Sequence, residues 1–146
     1  MKVTIYTDAS SNQYKSISAC GYILLKNGRI LKHEITLVDE MKCSHEAECY
    51  AVFLSLIECF KFKNITQVNI NSDNLMVIHT LRGKLKNTKL AGNKYFIMLQ
   101  ECMETYKQLN IALKVYKVKA HSNNEMNNKV DSSVRIELRK HLKIAA

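Results

Sequence analysis

Proline and tryptophan are missing altogether, and glycine occurs only four times. No phosphate-cradling glycine loop is present, so nothing points to a nucleotide cofactor. No repeat, low-complexity segment or flexible linker interrupts the chain. No apolar run is long enough to span a bilayer. No charged leader followed by an apolar stretch precedes the first strand-like pattern, so no signal peptide is expected. The five cysteines (Cys20, Cys43, Cys49, Cys59 and Cys102) are odd in number and contain no Cys-x-x-Cys pair. That argues against a disulfide framework and against a zinc site. Free thiols fit a reducing, cytoplasmic setting.

What is present fits one domain over residues 1–146. Hydrophobic residues make up 47 % of the chain, enough for a core without cross-links. The formal net charge of +9 is unevenly placed. Residues 1–60 carry six Lys/Arg against seven Asp/Glu, and residues 61–146 carry sixteen against six. A basic half is an electrostatic footprint for a polyanion. A solubilising lysine-rich surface explains it too, and the many Lys, Asn and Ile residues fit an AT-rich genome.

Alternation of apolar and polar residues over Met1–Asp8 predicts a strand. Ala19–Leu25 and Arg29–Leu37 are two further β-rich runs. They are joined by Lys26-Asn27-Gly28-Arg29, where Asn-Gly supplies the positive φ angles of a tight hairpin. His45–Phe62 predicts a helix, with Ala47, Tyr50, Ala51, Leu54 and Ile57 at helical spacing. Val68–Ser72 reads as a strand. Asp73 or Asn74 can cap a short helix ending near Leu81. Arg82–Lys94 is basic and irregular, Tyr95–Leu109 a helix, Ile111–Val118 a strand and Asn127–His141 a last helix. The order β-β-β-α-β-α-α-β-α implies an α/β fold: a mixed five-stranded sheet, three antiparallel strands and then parallel ones, flanked by helices.

Four acids fall near element ends on this map: Asp8 at the end of the first strand, Glu48 early in the first long helix, Asp73 after the fourth strand and Asp131 early in the last helix. The topology can gather them at one sheet edge, where open α/β sheets hold sites. Each also has a plain structural reading. Asp8 can make an Asx-turn, Asp73 can cap a helix, and Glu48 and Asp131 can favour helix N-terminal dipoles. Gathered together, they would instead suit hard cations such as Mg²⁺, which prefer carboxylate oxygens. Two such ions about 4 Å apart activate a water and stabilise the leaving oxygen of a phosphodiester. Clustered carboxylates are costly unless cations neutralise them.

Four blocks, in order, make the chain resemble the type 1 ribonuclease H family. Tyr6-Thr7-Asp8-Ala9-Ser10 resembles the first-strand motif, usually Asp-Gly-Ser. Ala47-Glu48-Cys49-Tyr50-Ala51 resembles the helix motif Glu-x-x-Ala, which favours Glu48 over its competitor Glu46. Asn71-Ser72-Asp73-Asn74 resembles the fourth-strand motif, usually Asp-Ser. Val118-Lys119-Ala120-His121, followed by Asn127 and Asp131, resembles the closing segment, with His121 and Asp131 ten residues apart. The resemblance implies a ribonuclease H-like fold and an endoribonuclease that hydrolyses the RNA strand of RNA/DNA hybrids, leaving 5′-phosphate and 3′-hydroxyl ends. It implies two Mg²⁺ or Mn²⁺ ions per site. Asp8 would bridge both ions, Glu48 and Asp73 would serve the attacking-water side, and Asp131 the second ion. His121 would help product release or proton transfer; its plain reading is a surface loop histidine. Asn127 would support the site or cap the last helix.

RNA is told from DNA through its 2′-hydroxyl, and Asn12, Ser44 and Asn74 are polar candidates for such contacts. Arg82, Lys84, Lys86, Lys89 and Lys94, in a stretch without acids, resemble a shortened basic handle for the DNA strand; a solvated lysine loop is the rival reading. Some positions depart from the family. Ala9 replaces glycine, Asn74 replaces serine, and Ser44-His45 stands where paired asparagines are common. Cys43, a weak donor, falls near where the family often has a phosphate-binding threonine, and Tyr95 and Phe96 are the candidates to replace its stacking tryptophan. Two other readings are a nucleic-acid-binding module with little catalysis and another nuclease of the same fold, such as a resolvase or transposase core. A detached reverse-transcriptase domain also fits the motifs, but Met1 directly before the first strand favours a stand-alone protein. The expectation is a monomer with no obligate protein partner and no membrane association.

Overall fold

A computed structural model of the protein describes residues 1–12, 14–41, 43–83, 92–119 and 124–145. Five strands form one sheet: β1 (Lys2–Asn12), β2 (Ile17–Lys26), β3 (Arg29–Asp39), β4 (Gln67–Ser72) and β5 (Ala112–Lys117). The helices are α1 (Ser44–Cys59), α2 (Leu75–Leu81), α3 (Lys94–Gln108) and α4 (Glu125–Ala145). The strand order is β3-β2-β1-β4-β5. β1, β2 and β3 pair antiparallel, whereas β1–β4 and β4–β5 pair parallel. This is the sheet expected from the element order. Asn27 (φ 50°) and Gly28 (φ 76°) make the β2–β3 turn in the left-handed conformation that Asn-Gly favours.

β2 is buried along nearly its whole length. A strand so placed is covered on both faces, which is why it reads as a continuous apolar run rather than an alternating one. On one face α1 and α3 pack against Val3, Ile5, Leu24, Val68 and Ile70 in the largest apolar cluster, which also takes in Leu56, Leu99 and Tyr106. The Tyr106 hydroxyl donates to the Leu56 carbonyl and so is not left unpaired in that core. On the other face α4 is the only helix among the described residues. Its Val134 and Leu138 pack on Ile17 and Ala19, and its Val130 on Ile23 and Leu25. Fully burying each such aliphatic side chain contributes about 1.5–3 kcal/mol.

α4 also comes close to the sheet because β2 carries Gly21 there. A Cβ at Gly21 would lie 2.5 Å from Val134 Cγ1 and 3.4 Å from Val130 Cγ2. Gly21 is the antiparallel partner of Asp8.

Several expected boundaries shift, and two of the shifts bear on the site. β1 does not end at Asp8: it leaves β4 after Tyr6, whose partner is Asn71, but stays paired with β2 out to Asn12. The antiparallel hairpin outlasts the parallel pairing. α4 begins at Glu125, and Asn124 caps it through its side-chain oxygen on the Asn127 amide at 3.0 Å. Asn127 is therefore a buried helical residue, not the cap. Among the described residues no helix is long and apolar enough to cross a membrane, and all five cysteines are free.

Candidate active site

β1 is the strand at which the chain reverses direction across the sheet: β2 returns beside it by a hairpin, while β4 joins its other edge by a crossover through α1. A crevice opens at such a switch point, beyond the carboxyl ends of the parallel strands. Asp8 lies two residues past the last β1–β4 pair, and Asp73 directly follows the last residue of β4. Asn74, not Asp73, caps α2, its side-chain oxygen accepting from the Val77 amide at 3.0 Å. The Asp73 carboxylate is thus not used as the cap. Glu48 comes from the second turn of α1, whose N-terminal half packs over β1 and β2.

Carboxylate oxygens of Asp8, Glu48 and Asp73 lie within 4.8 Å of one another. Asp8 and Glu48 are 4 % and 6 % exposed, deep enough that neither charge is well hydrated. Burial, followed by the neighbouring Asp73 and Asp131 carboxylates, raises the pKa of Asp8 to about 7, although the Ala9 amide donates to its Oδ1 at 2.9 Å. Burial, then Asp8 and Asp73, holds Glu48 well above the usual carboxylate range. One Glu48 oxygen, Oε2, is buried with no hydrogen-bond partner among the described residues. An orphaned buried carboxylate oxygen beside two more carboxylates is what a hard divalent cation would satisfy. The donor set therefore fits such an ion.

Asp131 stands beside this trio on the second turn of α4 and interacts with Asp8. Its Oδ2 accepts from the Arg135 guanidinium at 2.9 Å, one helical turn on. Glu46, two residues from Glu48, turns elsewhere. Its Oε1 accepts a long contact from the Cys43 thiol at 3.9 Å, and it lines a separate cleft of about 410 Å³ with Asp39, Glu40, Asn93 and Tyr95.

The nucleic-acid candidates scatter. Asn12 ends β1 and accepts from the Lys15 amide, Asn74 is committed to its cap, and Ser44 is exposed at the start of α1. Arg82 donates to the Val115 carbonyl at 2.9 Å, tying α2 to β5. Lys94 begins α3, its ammonium 5.5 Å from the Tyr95 ring centroid, and that ring also packs edge-on against Tyr50. Tyr95 is therefore partly engaged within the protein. His121, Lys84, Lys86 and Lys89 lie outside the described residues. Sequence reading missed two residues at the site. Arg135 was signalled only by its i,i+4 spacing from Asp131. Gly21 was signalled only as an isolated glycine in a strand, a mark of close backbone approach.

The ribonuclease H family model matches residues 1–139. The chain belongs to the ribonuclease H family. Solved ribonuclease H1 structures share its fold. LC11 ribonuclease H1, isolated from compost by a metagenomic approach, superposes with a TM-score of 0.76 at 20 % identity, covering 97 % of this chain and 98 % of that one. LC11 ribonuclease H1 in complex with an RNA/DNA hybrid gives 0.73 at 15 % identity, covering 93 % and 99 %. Ribonuclease H1 from the halophilic archaeon Halobacterium salinarum gives 0.72 at 16 %, covering 91 % and 99 %. No curated protein sequence matches the chain.

Proposed function

We propose that this ribonuclease H family member hydrolyses the RNA strand of RNA/DNA hybrids, using two Mg²⁺ or Mn²⁺ ions per site. The reading rests on one observation above the rest: in a chain of this family, Asp8, Glu48 and Asp73 converge within 4.8 Å at the sheet's switch point. Asp8, Glu48, Asp73 and Asp131 would hold the ions. When bound, divalent cations of this kind activate a water and stabilise the leaving oxygen of the phosphodiester.

The protein's own contribution is preorganisation. β1 holds Asp8, the end of β4 places Asp73 directly after it, and α1 fixes Glu48 against them. Burial excludes the water that would otherwise screen their charges. Without cations, burial and mutual repulsion favour the protonated forms of Asp8 and Glu48. With the carboxylates ionised, their oxygens are free to act as ligands. Asn12, Ser44 and the Asn74 amide nitrogen, whose oxygen partner is engaged in the α2 cap, are proposed to read 2′-hydroxyls, and His121 to assist proton transfer or product release. That a ribonuclease H1 of this fold is seen in complex with an RNA/DNA hybrid supports the choice of substrate.

The test is cleavage of a hybrid labelled on its RNA strand, in Mg²⁺, Mn²⁺ and EDTA, with single-stranded RNA, duplex RNA and duplex DNA as controls. The expected result is metal-dependent cutting of hybrid RNA alone, lost by at least ~10²-fold in Asp8→Asn and in Asp73→Asn, the scale of removing an essential electrostatic group. Binding of the hybrid by wild type with no cutting in either metal would make the protein a binding module instead.

A further inference from the structure

α4 carries charged side chains at regular spacing beyond Asp131. Asp131, Arg135, Arg139 and Lys143 recur every four residues along α4, so they lie on one stripe of the helix surface. Arg135 is anchored by Asp131. Beyond it, Arg139 and Lys143 form no ion pair among the described residues. Glu137 pairs with Lys140 instead, at 3.6 Å on another side of the helix. Like charges four residues apart destabilise a helix slightly, and no acid among the described residues pairs with Arg139 to offset this.

Between the two arginines the surface is concave. Ser132, Arg135, Ile136 and Arg139 line a shallow cleft of about 170 Å³. It offers a hydroxyl, two guanidinium forks and one apolar side chain, Ile136, that is 47 % exposed. Guanidinium forks match the oxygens of a phosphate, and a fork already held in place loses less freedom on binding. Arg135 is held by the very acid proposed for the active site, so the cleft lies along the helix surface that leads away from Asp131.

We propose that the Ser132–Arg135–Arg139 cleft seats a backbone phosphate of the bound nucleic acid, a non-reacting one flanking the point of cleavage. This rests on the ribonuclease reading for its ligand, but it is tested by binding rather than by turnover. Arg139 is the residue to change, because it is exposed, touches none of the site acids and can be lost without unfolding the helix.

The measurement is fluorescence anisotropy of a labelled RNA/DNA hybrid titrated with the full-length protein in EDTA, at salt between about 50 and 200 mM. Wild type, Arg139→Gln, Arg139→Lys and Lys140→Gln are compared, each checked for folding by circular dichroism. In Arg139→Gln, affinity should fall several-fold at low salt. The slope of log K against log salt should shrink by about 0.7–0.9, the loss of one phosphate contact. Arg139→Lys should keep the slope. Lys140→Gln, which removes the same charge from the same helix outside the cleft, should leave it unchanged. An unchanged slope in Arg139→Gln overturns the proposal, as does an equal loss in Lys140→Gln, which would mark a diffuse field rather than a seat. Wild type that binds no hybrid at any salt overturns it as well. Wild type that binds with the expected Arg139 dependence yet cuts no RNA in Mg²⁺ or Mn²⁺ would leave the seat standing and remove only the catalytic reading.

Discussion

Asp8 carries the clearest physical signature in the molecule. In an unfolded chain an aspartate titrates near pH 3.9, whereas in the fold burial and neighbouring acids move Asp8 to about 7. Because the folded value is the higher one, the protonated form is the one the fold favours. Its stabilising contribution is complete below about pH 4 and is lost as pH rises through about 7. Glu48 shifts in the same direction. Glu58 runs the other way, lowered by Lys32 and Lys61, but it belongs to surface pairs of small weight. Metal-free protein should therefore lose stability between about pH 4 and pH 7. In EDTA at pH 8, Asp8→Asn should be more stable than wild type by roughly 1–4 kcal/mol, the upper end being the full three-unit shift. Millimolar Mg²⁺ should shrink or reverse that gap, since a ligand bound only by the folded state stabilises it. Thermal melts of both proteins across this pH range, with and without Mg²⁺, decide the matter. A wild type more stable than Asp8→Asn at pH 8 in EDTA would mean the acids do not repel as the geometry requires.

At the scale of elements, most of the fold was legible. The Asn27-Gly28 turn, the continuous apolar run of β2 and the helical periodicity of α1 are local signals, and each element formed where its signal lay. The order of acids along those elements was legible too. What the sequence could not show is closeness between layers. Nothing local tells that β1 continues past Asp8, because β2 holds it there. Gly21 marks a close backbone approach but not that α4 is what rests on it, and the i,i+4 spacing permits an Asp131–Arg135 pair without showing that it forms beside the site. Gly21 has a testable consequence. Gly21→Val would force a Cβ into the space of Val134 Cγ1, only 2.5 Å away, and push α4 off the sheet. Overpacking of this kind costs about 1–3 kcal/mol. Val134→Ala should restore part of that loss, so that the double variant is more stable than the two single costs predict. Urea denaturation of the four proteins measures the coupling. Strictly additive effects would show that α4 does not press on this glycine.

For the whole molecule, the decisive fact is that the site straddles two layers with apolar clusters of unequal size. Asp8, Glu48 and Asp73 stand on β1, α1 and β4, which share the large apolar cluster built around Leu56, Ile70, Leu99 and Tyr106. Asp131 arrives from α4, which is held by two small clusters on the opposite face. Local opening free energies follow buried apolar contact, so α4 should detach at less cost than the rest of the fold unravels. The proposed ligand set then makes cation binding a clamp between layers: an ion that needs Asp131 favours only the docked state of α4. Hydrogen exchange should show this directly. Without metal, α4 amides near Val130 and Val134 should exchange faster than those of β4 or central α1. Mg²⁺ should slow them selectively in wild type, by about tenfold for each 1.4 kcal/mol of binding free energy that reports on the docked helix. Asp131→Asn should remove most of that gain while leaving β4 as protected as before. Equal protection of α4 and β4 without metal would show that the small clusters hold as firmly as the large one. Mg²⁺ protection of α4 undiminished in Asp131→Asn would show that the ions are held by the three-acid cluster alone.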